Sequence, residues 1–180
     1  MELVRPAITA ISKAVERSAV TENEFMLLYE HTARPLRAYL YRLLNDVSRA
    51  DDLLQEAYLR FLQARLPAEM SAEHRKNYLF RIATNLAHDE AATPKSAPLA
   101  DYPAPSNVAE EIREQNDCAR RLQQLTQRQR ELLWLAYVEE FSHKEIAEML
   151  GVKAPSIRPM LARARQCLSE ILRKGALNSK

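Results

Sequence analysis

Only two glycines, Gly151 and Gly175, occur in the 180 residues. Tight hairpin turns draw on glycine for positive φ, so a chain this poor in it has few places to reverse a strand. Apolar residues recur instead at helical spacing, and a hydrophobic content of 47% can fill one domain or two small ones. The expected fold class is all-α: two small helical domains joined by a proline-rich linker.

The linker is read from "AATPKSAPLADYPAPSNV", residues 91–108, which holds four of the nine prolines and no helical period. It predicts an N-terminal helical domain over 21–92, a linker over 93–110 and a C-terminal helical domain over 111–180, with residues 1–20 as an extension. The net charge of +2 is unevenly spread: residues 113–180 carry 13 Lys/Arg against eight Asp/Glu, an excess of five. A basic end on a near-neutral chain suits a polyanionic partner, and equally suits a merely solvated helix face.

In the first domain, Phe25, Leu28, Tyr29, Leu36, Tyr39, Leu40 and Leu43 mark one helix, which Pro35 is expected to bend or split after Thr32. A second helix is expected from about Ala50 until Pro67 closes it, its apolar stripe made of Leu53, Leu54, Ala57, Phe61 and Leu62. Asp52, Gln55 and Glu56 fall together on the opposite side, with Asp51 beside them. A third helix, "KNYLFRIATNLAHD", buries Leu79, Ile82, Ala83 and Leu86, leaving Tyr78, Phe80 and Arg81 elsewhere, next to Arg75 and Lys76. Aromatics interleaved with cations can stack unpaired bases and hold their phosphates; they can also be ordinary core and surface.

In the last third, Leu122, Leu125, Leu132, Leu133, Leu135, Ala136 and Val138 indicate packed helices with Trp134 in the core. Ser142 and Glu145 then form a capping box, and Gly151 supplies a left-handed helix end. A helix carrying Ile146, Ala147 and Leu150, a tight turn and a second helix together make a helix-turn-helix. The second helix turns Ile157, Leu161, Ala164 and Leu168 inward and Arg158, Arg163 and Arg165 outward. Pro155 and Pro159 near its start are tolerable if Ser156 is the N-cap, because Pro159 would then be the third helical residue, whose N–H has no intrahelical partner.

The segments "ADDLLQEAYLRF" (50–61), "NYLFRIATNLAHD" (77–89) and "LTQRQRELLWLAYVEEFSHKEIAEMLGV" (125–152) together resemble the extracytoplasmic-function (ECF) sigma factors of bacterial RNA polymerase, over roughly residues 21–175. The resemblance implies a specificity subunit that binds core polymerase and directs initiation at promoters. Asp51, Asp52, Gln55 and Glu56 would face the coiled-coil clamp of the polymerase. Arg75, Lys76, Tyr78 and Arg81 would engage the melted −10 strand, and Ser156, Arg158, Arg163 and Arg165 the −35 element. Core polymerase and promoter DNA are the implied partners, and an anti-sigma factor is a further partner the family admits.

This sequence departs from the family at two points. Glu90 and the single Lys95 stand where a basic run is usual, and Pro159 fills a slot that is usually polar. A polymerase-binding adapter or decoy that reads promoters poorly is therefore the alternative reading. An enzyme is not expected: His31, His74, His88 and His143 lack metal-ligand spacing, and no nucleophile or phosphate-loop motif occurs. No cofactor or metal is expected either. Cys118 and Cys167 are too few for a disulfide framework, no apolar run could span a bilayer, and the N-terminus is not a signal peptide, so a cytoplasmic location without membrane insertion is expected.

Overall fold

A computed structural model describes residues 20–67, 69–92 and 122–177. The expectations for residues 1–19, for the linker and for Cys118 lie outside the described residues. The described residues form six helices: α1 (Glu22–Leu44), α2 (Val47–Gln63), α3 (Ala72–Ala92), α4 (Gln127–Tyr137), α5 (His143–Leu150) and α6 (Ala154–Leu177). No strand occurs among them. The chain divides into two compact units, one built on α1–α3 and the other on α4 and α6.

Helix starts are written locally. Thr21, Thr126 and Ser142 each accept from the amide three residues on, while Glu24, Gln129 and Glu145 reach back to the cap amide. Each reciprocal pair satisfies two of the four donors a helix start leaves orphaned. Asp46 caps α2 by accepting from Arg49 N at 3.1 Å, so that helix begins at Val47 and not near Ala50. It ends at Gln63, with Ala64 as C-cap, so Pro67 does not close it. Ser71 accepts from His74 N, and α3 begins at Ala72, four residues before the Lys76 at which the expected third helix opens.

The three N-terminal helices all pack on one another. Their core holds Leu36, Tyr39, Leu40, Ala57, Phe61, Leu62, Leu79, Phe80 and Ala83. Pro35 neither ends nor divides α1, which runs unbroken through it. The neighbouring burial of Leu36, Tyr39 and Leu40 offsets the one backbone bond that proline removes. Two buried tyrosines tie the bundle. Thr32 Oγ1 donates to the Leu28 carbonyl at 2.6 Å, so it accepts from the Tyr58 hydroxyl at 2.7 Å. Thr84 Oγ1 donates to the Phe80 carbonyl in the same way and accepts from the Tyr39 hydroxyl at 2.9 Å. Each pair satisfies a hydroxyl that would otherwise be buried alone, and burial pushes the Tyr58 phenol up.

Phe80 corrects the reading that placed it off the core: it is 0% exposed, its ring 5.7 Å from that of Tyr39. Conversely, Ile82, Leu53 and Leu54 are only half-buried. In the C-terminal unit, α4 packs on α6 around Leu132, Leu135, Ile157, Leu161 and Ala164. Trp134 is half-buried, its indole N–H donating to Glu139 at 3.3 Å, and Val138 is exposed, so neither is core as expected. Gly151 does adopt φ 63°, and Val152 N donates to the Ala147 carbonyl at 3.0 Å, closing α5 with the two-residue overhang of a Schellman end.

Candidate polymerase and nucleic-acid surfaces

The acidic face of α2 begins at Asp51, its fifth residue. Asp51 accepts both Nε and Nη2 of Arg37 on α1, the second bond at 2.9 Å, as a planar fork. Those hydrogen bonds hold its carboxyl below the usual range and raise the Arg37 guanidinium in turn. Glu56 accepts from Arg60 one turn further along, at 2.7 Å. Asp52 and Gln55 are exposed. The four candidate residues thus share a face, but Asp51 and Glu56 already hold arginines of this chain. Arg37, fourteen residues from its partner, has no sequence signal that could have revealed it.

The second candidate set lies on α3 and does not form one surface. Tyr78 and Arg81 share a stripe, with the Arg81 guanidinium 5.0 Å from the Tyr78 ring and the Phe61 ring 6.2 Å behind. His74, Asn85 and His88 continue that stripe at helical spacing. Lys76 lies roughly 160° around the helix from Tyr78, its ammonium 5.6 Å from the Phe80 ring. Arg75 is 6% exposed and donates to Glu24 Oε1 of α1 at 2.8 Å. Its position is that of an internal brace, which leaves Tyr78 and Arg81 as the members of the set that share a stripe of α3. Glu24 gathers the Thr21 amide, Arg75 and the Thr21 hydroxyl, which together lower its pKa from 4.5 to about 2.

The third set lies on α6. That helix starts at Ala154, so Ser156 is its third residue and not its N-cap, and Pro159 its sixth. The late start expected from Ser156 is overturned: Ala154 and Pro155 form the first turn, where a missing N–H costs nothing. Arg158, Arg163 and Arg165 are all exposed. Arg158 and Arg165 lie on one flank, while Ser156 and Arg163 lie roughly 150° away. A helix lying in a major groove can use two such flanks toward the two phosphate walls and its tip toward base edges.

Among the described residues no group of three or more His, Cys, Asp or Glu could hold a metal ion, and no helix is long and apolar enough to cross a membrane. The Sigma-70 region 2 family matches residues 28–95, and the family described as Sigma-70, region 4 matches residues 117–168. The chain is similar to RNA polymerase sigma factor SigZ of Bacillus subtilis, 29% identical over 150 residues that cover 81% of this chain and 85% of the relative. It is also similar to ECF RNA polymerase sigma factor EcfG of Rhodopseudomonas palustris, 30% identical over 146 residues, 76% of this chain and 78% of that one. The solved sigma factor RpoE from Bartonella quintana, in complex with the anti-sigma factor NepR, shares the fold with a TM-score of 0.60 at 22% identity, over 84% of this chain and 96% of that one.

Proposed function

Because the chain belongs to the ECF sigma factors, the subunits that bind core RNA polymerase and direct it to promoters, we propose that its surfaces divide that work as follows. The exposed acid and amide of α2, Asp52 and Gln55, with Glu56 beside them, meet a basic surface of core polymerase. Tyr78 and Arg81 hold the melted −10 strand by stacking and phosphate contact. The two flanks of α6 grip the −35 duplex. The first domain spans 21–92 and the second 111–180, the stretch between being the linker.

The observation that carries this reading is the separation of roles on single helices: α2 keeps its buried stripe apart from an exposed acidic face, and α6 keeps its buried stripe apart from three exposed arginines. The protein acts as a specificity subunit rather than an enzyme, in the cytoplasm where polymerase works. An anti-sigma factor is a partner of the same kind as the NepR bound by the solved relative.

The test is reconstitution with core polymerase followed by transcription across genomic DNA. Initiation at a defined set of sites is expected. Asp52→Lys combined with Glu56→Lys should abolish co-purification with core while leaving the helical content intact, because both groups stand outside the apolar stripe. A holoenzyme that assembles but initiates nowhere would favour the adapter reading.

A further inference from the structure

Tyr137, the last residue of α4, is 53% exposed, and its hydroxyl accepts a hydrogen bond from Arg165 Nη1 at 3.1 Å across the α4–α6 contact. No other described residue is its hydrogen-bond partner. A phenol whose oxygen accepts from a guanidinium still has its own proton to give. With the oxygen side occupied, that proton is directed away from Arg165 and toward solvent. Polarisation by the cation makes the O–H a better donor than a free tyrosine offers.

The surroundings suit one class of acceptor. Arg158, Arg165 and Arg173 recur on one flank of α6 at spacings of seven and eight residues, and all three are exposed. They span about 22 Å at 1.5 Å per residue. Between them on that flank stand Ala162, Ser169 and the exposed Leu172; Glu170, three residues before Arg173 and toward the Arg163 side, accepts from Gln166 at 3.2 Å. A flank that carries a cation about every two turns fits the repeating phosphates of a duplex. At its middle, Arg165 and Tyr137 present two donors side by side.

We infer that Tyr137 and Arg165 form a composite clasp for a single DNA phosphate, in which the guanidinium supplies charge and the tyrosine a directed neutral donor. This rests on the reading of α6 as the −35 helix. The clasp carries no base information, so its place is in fixing the register of α6 on the duplex.

The experiment uses the full chain assembled with core polymerase. Its probes are a duplex selected by the wild-type holoenzyme from a library randomised over the −35 region, and a scrambled duplex of equal length. Tyr137→Phe, which keeps the exposed ring, should weaken binding about two- to tenfold on both duplexes alike, the range of one neutral hydrogen bond. Arg165→Ala should weaken binding to both and reduce the salt slope by about one. The double variant should bind no worse than Arg165→Ala alone, because the hydroxyl is aimed only while the guanidinium is present. A silent Tyr137→Phe overturns the clasp, as does one that costs the same in both backgrounds or reorders the preferred sequences. Were Arg165→Ala itself without effect on either duplex, the reading of α6 as a DNA helix would fall, and the clasp with it.

Discussion

Pro159 is the residue at which local chemistry and the folded chain disagree. Ser156 is a good capping residue, and a helix starting there would have left the proline's absent N–H without cost. The helix starts at Ala154, three residues before the Ile157 that a Ser156 cap would make its first, because Gly151 and Val152 close α5 so tightly that the next turn can form at once. Starting early also brings Ile157 into the buried row with Leu161 and Ala164. Pro159 therefore removes an interior bond to the Pro155 carbonyl and crowds that carbonyl with its ring. Both prolines are exposed, so water can reach the orphaned group. Pro159→Ser should accordingly stabilise the C-terminal unit by about 1–3 kcal/mol, the scale of proline in a helix body. Thermal unfolding checks this: a higher melting temperature is expected, and an unchanged one would mean that the helix begins at Ser156 in solution.

At the scale of the element, α3 shows how one helix serves two solvents. Phe80 and Tyr78 are two residues apart and both aromatic, so they look equivalent in the sequence. Phe80 is fully enclosed against Tyr39, whereas Tyr78 is half-buried beneath Arg81. Phe80→Ala should cost about 3–5 kcal/mol of unfolding free energy, the scale for emptying a buried aromatic site. Tyr78→Ala should leave the urea midpoint nearly unmoved, yet weaken holoenzyme binding to a single-stranded −10 oligonucleotide by about 1–3 kcal/mol, the worth of one stacked base. Fluorescence anisotropy with a labelled oligonucleotide separates the two. Equal effects of both substitutions on stability would place Tyr78 in the core.

At the scale of the whole molecule, Glu24 joins the cap of α1 to α3 through Arg75. Its pKa is lowered to about 2 in the fold, chiefly by the Thr21 amide and then by Arg75, against 4.5 for the free group. A carboxyl depressed by folding stabilises fully above its unfolded pKa, and that stabilisation is lost as pH falls through the folded value. Stability should therefore decline progressively between about pH 4.5 and pH 2. Glu24→Gln should be less stable than wild type at neutral pH, and the two should converge toward pH 2. Chemical denaturation at stepped pH measures this, and parallel curves across the window would rule the linkage out. The same pair explains why Arg75, which the family resemblance aligns with the −10 set, is better described as a brace.

What the sequence determined by itself is whatever its chemistry settles within a few residues. The scarcity of glycine excluded hairpins, the period of apolar residues set the helices, and the Ser142–Glu145 box and Gly151 delimited α5 to the residue. The Thr21–Glu24 and Thr126–Gln129 boxes were equally legible. The outward arginines of α6 were legible too, since a buried row at Ile157, Leu161 and Ala164 leaves them nowhere else to point. Tertiary structure alone decided the rest. It determined which aromatic of α3 is enclosed, that α1 runs through Pro35, and that Arg37 holds Asp51. It also drew Arg75 inward to Glu24 and set Tyr137 beside Arg165. Each of these depends on a partner between 14 and 51 residues away or on burial summed over three helices, and helical periodicity carries no information about which neighbouring helix will fill a given side.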